Sequence, residues 1–419
     1  MNQVSRGTLV ITVGVILPVL IYFITEDFTI NLDSLGRVTG LAGLSALSIN
    51  IILSARLKIF DKLFHGLDKM YKVHHILGCV TLLLILAHFN FIILKLSLGS
   101  LQVGYDFIMG FGGWYRVSAK IGLLLLLFGM ITVLYLKVSY KWFILIHRIM
   151  AVAIFFGGYH ALFVPKNSII TNPILFIYMV SLGGFAILVF IYRSIFHKPL
   201  NKTFIYKITK INLLGTVTEI YMKPVNRALQ HYAGQYAFIS FHSKLVTDEV
   251  HPFSISSGSD STELRFSVKQ LGDFTSTLPK LTEGDTVTLE GPFGKFTPTK
   301  IGGDHQVWIA GGIGITPFLS MIQSVDPKLS VDLYYCTPNK QEAIYLSELV
   351  SYIQNKNIRV YSICEDTFGF LKAQQIANLT NSSKILICGP PPMMNNLKKQ
   401  FIEIGIKKYS IYFEEFTIS

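Results

Sequence analysis

Two apolar stretches, VHHILGCVTLLLILAHFNFIIL at 73–94 and WFILIHRIMAVAIFFGGYHALFV at 142–164, carry histidines inside runs long enough to cross a bilayer. Polar side chains are costly in lipid and usually have a functional reason there. His74 and His88 are 14 residues apart, which on a helix is a rise of about 21 Å and a net rotation of about 40°. Their rings therefore face one way at two depths. His75 remains an alternative to His74, with poorer same-face geometry.

The second stretch repeats the arrangement with His147 and His160, which lie 13 residues or about 19.5 Å apart on a helix. A regular helix would turn His160 about 140° from the face of His147, and Gly157 and Gly158 lie where a local distortion would correct this. Two such helices can hold two stacked haems through paired imidazoles, because neutral imidazole is an ordinary axial ligand of haem iron. The predicted metal ligands are His74, His88, His147 and His160.

The composition is that of a membrane protein with a substantial soluble part. The chain has 419 residues, of which 51% are hydrophobic and only 15% charged. The net charge of +12 comes from basic residues that are spread out and flank the apolar runs, which favours anchoring at a lipid surface over nucleic-acid binding. The four cysteines show no CxxC or zinc spacing, and three lie in the polar second half, which indicates a reduced, intracellular environment for that half.

Four further apolar runs, at 8–24, 38–55, 121–136 and 173–192, complete six predicted spans. The first run has no obvious cleavage site and is expected to remain as a span. The run at 38–55 contains Ser45, Ser48 and Asn50, so we expect it to pack inside the bundle.

The basic loop at 56–72 sets the predicted orientation. Lysine and arginine are enriched on the cytoplasmic side of membranes, so both termini are expected to be cytoplasmic, in a protein of the cell membrane. The third and fifth spans then both run outward. His74 faces His147 near the inner surface and His88 faces His160 near the outer surface, a conclusion independent of the histidine spacing. The segment at 95–120 is expected to be an external loop.

From about residue 200 the sequence changes to short alternating strands, glycine turns and charged residues. Residues 200–298 are mainly strands with turns between them, which predicts a small β-barrel. Residues 303–419 alternate strands with helices, including helices from Pro317, at 342–354 and from Pro391. This alternation predicts a nucleotide-binding α/β fold.

Two glycine-containing turns are suited to a nucleotide. The sequence GGIGITP at 311–317 joins a buried strand to a helix, and Gly312 and Gly314 let the backbone approach a pyrophosphate at the helix N-terminus. The sequence CGPPP at 388–392 ends another strand. It is expected at the same carboxyl edge of the sheet, where ligands bind in such folds.

Three turns in the barrel region suit a flavin. In HPFS at 251–254, Ser254 can hydrogen-bond the edge of a flavin ring. GDFTS at 272–276 offers backbone amides and hydroxyls to a second pyrophosphate. GPFG at 291–294 is expected to be a turn that links the two soluble domains. The order of these motifs along the chain supports flavin binding, because each motif alone is equally compatible with an ordinary loop.

From the second span to Phe416, the sequence resembles the NADPH oxidase and ferric reductase superfamily, and in particular a prokaryotic NADPH oxidase. The resemblance implies FAD rather than FMN, and it implies that Phe416 stacks on the isoalloxazine ring. It also favours His74 over His75 as the inner ligand. The motifs that carry it are HHILG at 74–78, HRIM at 147–150, HPFS, GDFT, GIGITP, CGPP and the ending YFEEF.

The predicted fold class is an α-helical six-span transmembrane bundle, then an antiparallel β-barrel flavin domain and an α/β Rossmann-like nucleotide domain of the ferredoxin reductase type. The predicted domains are a bis-haem transmembrane domain at 1–198, an FAD-binding domain at 199–300 and an NAD(P)H-binding domain at 301–419. The predicted cofactor-binding residues are His251, Pro252, Phe253, Ser254, Lys269, Gly272, Asp273, Thr275, Ser276, Phe416, Gly312, Gly314, Thr316, Pro317, Cys388, Gly389 and Pro390.

The predicted cofactors are FAD, two haem b groups and NADPH, with NADH as a possible donor. Family members that use NADPH often have an arginine after the second strand of the nucleotide domain, to pair with the 2′-phosphate. Here Thr337 occupies that place. Lys340 is a candidate substitute as a point charge, or an ordinary surface lysine.

The resulting hypothesis is an NAD(P)H oxidase that passes electrons from cytoplasmic NAD(P)H through FAD, the inner haem and the outer haem to O2, producing superoxide. A metal reductase with the same electron path is the first alternative, although outer segments offer few iron ligands besides Glu26, Asp27 and Asp33. The second is a haem-bearing membrane adaptor that relays electrons to a partner protein, against which the intact flavin and nicotinamide motifs argue. We expect membrane lipid as a partner, no nucleic acid and no obligatory protein subunit.

Overall fold

The computed structural model describes residues 6–26, 29–64, 66–110, 112–136, 138, 140–165, 168–194, 202–353, 356–380 and 382–414. Internal contacts divide the chain into two compact units, Met1–Leu200 and Asn201–Ser419. Helices form the first unit, and the second unit contains two β-sheets.

The described part of the first unit contains six helices long and apolar enough to cross a membrane, namely α1, α2, α4, α6, α7 and α9. This confirms the predicted six-span helical region. The helices are α1 (Arg6–Thr25), α2 (Leu32–Leu53), α3 (Lys58–Phe64), α4 (Leu67–Gly99), α5 (Leu101–Met109), α6 (Trp114–Tyr135), α7 (Tyr140–Phe163), α8 (Ser168–Thr171) and α9 (Pro173–Ser194).

Two of the membrane-spanning helices begin earlier than the apolar runs at 38–55 and 73–94 predicted, because polar residues form additional turns at their N-terminal ends. Helix α2 starts at Leu32 because the Asn31 side chain accepts a hydrogen bond from the backbone N–H of Ser34, at 2.9 Å, which satisfies a free donor of the first turn. Helix α4 has 33 residues and is about 50 Å long at 1.5 Å per residue. Part of the basic segment at 56–72 is therefore helical.

The prediction of an external loop at 95–120 is wrong for most of its length. Helix α4 continues through the start of this segment, α5 occupies its middle, and α6 begins at Trp114. The Lys120 ammonium donates to the carbonyls of Ile108 (2.8 Å) and Gly110 (2.5 Å) at the C-terminus of α5. A lysine that binds the last carbonyls of a helix stabilises that end, and here Lys120 of α6 holds the end of α5.

Glycines on α2 let α4 pack closely against it. A Cβ atom at Gly40 would lie 2.9 Å from Nδ1 of His88, and one at Gly36 would lie 2.9 Å from Cδ1 of Ile92. A larger residue at either position would push the two helices apart. The order of these contacts along the two helices shows that α2 and α4 are antiparallel.

The first sheet of the second unit is an antiparallel barrel with strand order β4-β3-β6-β1-β2-β5. A β-bridge between Ile255, just after β4, and Phe266 in β5 joins the two ends of this order and closes the barrel. This confirms the predicted barrel. The strands are β1 (Thr203–Leu214), β2 (Val217–Pro224), β3 (Tyr236–His242), β4 (His251–Ser254), β5 (Leu264–Lys269) and β6 (Thr286–Phe293).

The predicted turn GPFG at 291–294 is wrong for its first three residues. They belong to β6, because Phe293 continues the ladder opposite Tyr236. Only Gly294 leaves the strand, with φ +96°, and a Cβ atom there would lie 3.1 Å from the Tyr236 ring. Glycine suits this position because it has no side chain to meet that ring.

The second sheet is parallel, with strand order β11-β10-β7-β8-β9. The chain proceeds from β7 to β8 and β9 on one side and later adds β10 and β11 on the other, so β7 and β10 flank the switch point where nucleotides bind in such sheets. This confirms the predicted nucleotide-binding fold. The elements are β7 (His305–Gly311), β8 (Ser330–Thr337), β9 (Ile358–Cys364), β10 (Lys384–Cys388), β11 (Ile411–Glu414), α10 (Pro298–Ile301), α11 (Thr316–Ser324), α12 (Leu346–Tyr352), α13 (Glu365–Phe368) and α14 (Pro391–Glu403).

Candidate functional site

The histidines of α4 and α7 form two pairs. The ring centres of His74 and His147 are 5.8 Å apart, and those of His88 and His160 are 6.0 Å apart. Two imidazoles that bind one metal ion from opposite sides through bonds of about 2 Å have ring centres roughly 6 Å apart. Each pair is therefore spaced as the two axial ligands of one haem iron would be.

The outer pair, His88 and His160, is oriented by backbone carbonyls. Nδ1 of His88 lies 2.7 Å from the carbonyl oxygen of Gly36, and Nδ1 of His160 lies 2.9 Å from that of Tyr115. A carbonyl only accepts hydrogen bonds, so each Nδ1 carries the proton and each Nε2 keeps a lone pair for a metal. This second hydrogen bond is usual for metal-binding histidines.

The inner pair, His74 and His147, lacks such bonds. Within the described residues, neither ring has a hydrogen-bond partner at its buried Nδ1 atom. The Phe143 ring stacks on His147 with a centroid distance of 5.1 Å. The neighbouring His75 is exposed, so the ring opposite His147 is that of His74.

The 13-residue spacing of His147 and His160 is not accommodated by a break in α7, which stays α-helical through Gly157 and Gly158. The His160 ring instead lies beside two neighbouring helices. It is 6.0 Å from the His88 ring on α4 and 6.5 Å from the Tyr115 ring at the start of α6. Helix α7 packs closely on α6, and from this position the His160 ring faces His88 of α4.

In the second unit, the two flavin motifs meet at the mouth of the barrel. His251 stacks on Phe274 of the GDFTS loop, with ring centroids 4.1 Å apart and an angle of 24° between the rings. Its Nε2 atom lies 3.0 Å from a carboxylate oxygen of Glu249. Ser254 is buried on β4, opposite Tyr236. Pro252 and Phe253 occupy β4 between these two residues.

The GDFTS loop has a shape suited to an anionic group. Gly272 has φ +152°, a backbone conformation that glycine adopts readily. The Thr275 hydroxyl accepts a hydrogen bond from the Leu271 N–H (2.8 Å), and the Ser276 N–H donates to the Gly272 carbonyl (3.0 Å). Asp273 and Ser276 are exposed. The loop is thus closed on itself and presents backbone groups to solvent.

The two nucleotide loops are in direct contact at the switch point. A Cβ atom at Gly314 would lie 2.3 Å from the Cys388 carbonyl oxygen, and one at Gly389 would lie 3.0 Å from the Cα atom of Gly311. Only glycine permits this approach. Gly312 has φ +53° and lies in open space, which leaves room for a ligand.

The residues around these loops shape both helix starts. Thr316 and Pro317 open α11, and the Thr316 hydroxyl donates to the Ile313 carbonyl at 3.0 Å. Pro390 precedes α14 as its N-cap residue. Burial and, to a smaller extent, the Glu414 carboxylate raise the pKa of the Cys388 thiol well above its usual value. We therefore assign Cys388 a packing role and no chemistry.

The structure shows a set of hydrogen bonds between the flavin and nucleotide motifs, here called the clasp, that no sequence pattern revealed. The Gln323 amide on α11 donates to the Ser256 carbonyl (3.1 Å) and accepts from the Gly258 N–H (3.0 Å). The Ser320 hydroxyl donates to the Ser257 carbonyl at 2.6 Å. Segment 256–258 follows the HPFS motif, and α11 follows the glycine-rich loop, so the clasp couples their positions.

Two ion pairs also join the barrel to the parallel sheet. Arg265 Nη2 lies 2.7 Å from a carboxylate oxygen of Glu348, and Lys269 Nζ lies 2.9 Å from one of Glu342. Lys269 was predicted to bind a cofactor, and the structure places it on this contact. Such charge pairs between distant elements leave no recognisable spacing in the sequence.

At the end of β8, Thr337 is buried and its hydroxyl donates to the Asn339 carbonyl at 2.9 Å. Lys340 is exposed. The Asp366 N–H donates to the Pro338 carbonyl at 3.1 Å, which sets the acidic start of α13 beside this strand end. Phe416, the predicted flavin-stacking aromatic, lies outside the described residues.

Two family models match successive parts of the chain. Residues 39–158 match a ferric reductase like transmembrane component, and residues 203–395 match an FAD-binding domain. The first match contains three of the four predicted haem ligands and ends before His160. The second contains the flavin and nucleotide loops. Together they show a transmembrane part followed by a flavin-binding reductase part.

Curated relatives and a solved structure are also similar to parts of the chain. Flavohemoprotein A of Dictyostelium discoideum is 26% identical over 231 residues, which is 49% of this chain and 58% of that protein. NADH-cytochrome b5 reductase 1 of Laccaria bicolor is 26% identical over 257 residues, or 54% of this chain and 83% of that protein. The crystal structure of flavohemoglobin from Malassezia yamatoensis with bound FAD and heme matches 80% of this chain and 97% of that chain, with a TM-score of 0.51 and 18% identity. At that identity the likeness concerns the fold alone.

Proposed function

Given that the chain is a transmembrane flavoprotein oxidoreductase with the domain architecture of the NADPH oxidase and ferric reductase superfamily, we propose that it is a superoxide-generating NAD(P)H oxidase. When bound, FAD and two b-type haems would supply hydride acceptance, release of single electrons and one-electron reduction of O2. Each NAD(P)H carries two electrons, so its oxidation releases one proton and converts two O2 molecules into two superoxide ions.

The observation that carries this proposal is the spacing of the two histidine pairs. A reductase that acted only on soluble acceptors would have no use for four histidines inside apolar helices, where each costs free energy. His74 with His147 and His88 with His160 supply a ligand set for two irons at two depths. This is the arrangement needed to carry electrons through a membrane.

The paired histidines also determine how an acceptor is reduced. Each pair would hold one iron through two imidazoles, which would leave no ligand position for O2 or a metal ion. The Nδ1–H groups of His88 and His160 donate to backbone carbonyls, and these hydrogen bonds fix the orientation of both rings. With such ligands, a bound haem would supply outer-sphere electron transfer to an acceptor that does not bind the iron.

In the second unit, the chain's own residues hold and align the two nucleotides. Gly312 and Gly314 admit a pyrophosphate at the start of α11, and the loop at 272–276 offers backbone groups to the flavin phosphates. Ser254 provides a hydroxyl beside the flavin ring. The contacts of Gln323 and Ser320 keep the nucleotide helix aligned with the flavin segment.

The nicotinamide donor in this proposal is NADPH, with NADH as the alternative. Lys340 is the exposed cation beside the end of β8 and would pair with a 2′-phosphate, because Thr337 is buried with its hydroxyl already bonded. The neighbouring acidic residues Glu365 and Asp366 oppose a phosphate there, and one relative is named an NADH-cytochrome b5 reductase. Comparing KM for the two donors decides between them.

The orientation follows from the distribution of basic residues. The segment at 56–72 is rich in lysine and arginine, which favours a cytoplasmic position for it and for both termini. The inner pair, His74 and His147, would then receive electrons from the cytoplasmic flavin. The outer pair would deliver them at the external face of the cell membrane.

A ferric or other metal reductase is the second candidate, because the matched transmembrane model is a ferric reductase like component. The electron path would be the same and only the acceptor would differ. O2 is favoured because Asp33, a candidate outer metal ligand, is already paired with Arg37 (3.0 Å) and Lys95 (2.6 Å).

The deciding experiment uses the purified chain in detergent with added FAD. NADPH or NADH is supplied without oxygen while haem absorbance is followed, and air is then admitted with or without superoxide dismutase. Haem reduction followed by a dismutase-sensitive signal, without any added protein, is the expected result. Haem reduction without superoxide would point to the metal reductase, and a chain without haem would refute the electron path.

A further inference from the structure

We propose that Asn50 is a positioning residue of the inner haem site: its side-chain oxygen accepts the Nδ1–H of His74 when Nε2 of that ring binds iron. The inference rests on the proposed function, because it concerns how the chain holds one of the two predicted haems. It assigns a role to a polar residue of α2 that belongs to none of the cofactor motifs.

Asn50 is a half-buried polar residue inside an apolar span. Its Oδ1 atom is buried and, within the described part of the chain, has no hydrogen-bond partner. An unsatisfied buried carbonyl costs free energy, and polar residues in membrane helices usually serve a site. The oxygen therefore needs a donor.

A buried donor in the same condition lies close to it. Nδ1 of His74 is buried and also lacks a partner among the described residues. The backbone carbonyl of Asn50 lies beside the His74 ring and interacts weakly with it, without the geometry of a full hydrogen bond at Nδ1. Nδ2 of the Asn50 amide lies 3.4 Å from where a Cβ atom of Gly78 would be, and Gly78 is one helical turn from His74 on the same face of α4. The proposed bond requires the Asn50 amide to turn its oxygen toward Nδ1 of His74.

The outer site shows the same relation between the two helices. There the Gly36 carbonyl on α2 binds Nδ1 of His88 on α4. Residues 36 and 50 are separated by the same 14 positions as residues 74 and 88, and α2 and α4 are antiparallel neighbours. Helix α2 thus meets each histidine of α4 in an equivalent register, with Gly36 beside His88 and Asn50 beside His74.

An acceptor at Nδ1–H makes the imidazole a stronger electron donor to its metal. A stronger donor stabilises the oxidised iron and lowers its reduction potential. Asn50 would thus both orient His74 and hold the inner haem at a lower potential than an unassisted imidazole would. With this bond, His74 is supported at Nδ1 by a residue of α2, as His88 is by the Gly36 carbonyl.

The test measures reduction potentials by optical titration of the full-length, haem-loaded chain in detergent. The inner haem is identified as the one retained in an H88A background. N50L and N50A remove the acceptor and N50D strengthens it. We expect N50L and N50A to favour the reduced inner haem about tenfold, a rise of about 59 mV for one electron, and N50D to shift it the opposite way. S48A is the matched control, because the Ser48 hydroxyl is bonded to the Leu44 carbonyl of its own helix, and it should leave the potential unchanged.

Each outcome decides the proposal. Opposite shifts in the removal and carboxylate variants support it, as does selective loss of the inner haem in N50L or N50A. An unchanged potential, shifts of one sign in all three variants, or loss of both haems from N50L and N50A would overturn it, because these indicate packing alone. A wild-type chain that binds no haem would refute the proposed function itself, which separates the two failures.

Discussion

The His88 ring has one nitrogen left for a ligand, because its Nδ1 atom is bonded to the Gly36 carbonyl. Changing His88 to Ala should therefore remove the outer haem while leaving flavin reduction by NAD(P)H intact. Second-layer changes around bound metals already cost 10- to 100-fold in affinity, so losing a direct ligand should cost at least about a hundredfold. Haem content per chain and superoxide formation measure this.

The matched control for that variant is His75→Ala, since His75 is exposed and lies one residue from His74. This control should keep both haems and the wild-type rate. Full haem occupancy in H88A, or loss of a haem in H75A, would mean that the ligands are assigned wrongly.

Asp332 is a fully buried carboxylate that ties together the starts of β7, β8 and β9. It accepts hydrogen bonds from Arg359 (2.6 Å and 2.9 Å) and lies 2.9 Å from Nε2 of His305. Burial by itself raises the pKa of Asp332, but the hydrogen bonds from Arg359 and His305 outweigh it and hold the pKa below its usual value.

Because the folded-state pKa of Asp332 is lowered, its contribution to stability is present above about pH 4 and is lost as the pH falls through the folded value. Asp332→Asn should lower the free energy of unfolding at neutral pH by about 2–4 kcal/mol and flatten the acid dependence. Thermal unfolding followed by flavin fluorescence in detergent tests both effects. D304N, which changes an exposed neighbour, should behave like the wild type, and a D332N protein with unchanged acid dependence would exclude this linkage.

Among the elements, α11 connects the glycine-rich loop to the segment that follows the flavin motif. Gln323→Ala removes both hydrogen bonds of its amide to Ser256 and Gly258. Misalignment of two reacting groups by about 1 Å can cost up to a hundredfold in rate, so we expect flavin reduction by NAD(P)H to slow by about tenfold. Stopped-flow absorbance measures this rate, and KM for the donor should change little.

The variant Gln323→Glu keeps the acceptor for the Gly258 N–H and loses the donor to the Ser256 and Leu319 carbonyls, so its rate should be intermediate. Ser351→Ala is a control, because that hydroxyl is exposed and bonded within its own helix, to the Glu348 carbonyl. A Q323A protein with a wild-type rate would show that the clasp does not align the two nucleotides.

At the scale of the whole molecule, the proposed function requires the donor and the acceptor to be used on opposite sides of a membrane. In inverted membrane vesicles, added NADPH should be oxidised and superoxide should appear inside. In right-side-out vesicles, added NADPH should be oxidised at only a few per cent of that rate, because NADPH is charged and does not cross lipid.

Detergent permeabilisation is the control for this experiment, and it should equalise the two preparations. Rapid NADPH oxidation by intact right-side-out vesicles would contradict the orientation inferred from the basic segment at 56–72. Such a result would leave the histidine pairs in place but exchange their inner and outer roles.

Local patterns in the sequence determined much of this architecture. The 14-residue spacing of His74 and His88 follows from the period of a helix, and the apolar runs follow from the thickness of a bilayer. The glycine-rich loop at 311–317 was recognisable because strand, turn and helix follow each other directly. Each of these signals lies within about 25 consecutive residues, so no tertiary contact is needed to detect it.

Only the tertiary structure decided which groups meet across the fold. The bond from His88 to the Gly36 carbonyl, the place of Asn50 beside His74 and the contact of Gln323 with segment 256–258 join residues far apart in the chain. These contacts depend on helix packing and strand order, which the sequence encodes through many weak apolar interactions and not through any short pattern. For the same reason the sequence predicted the four histidines but not the groups that orient them.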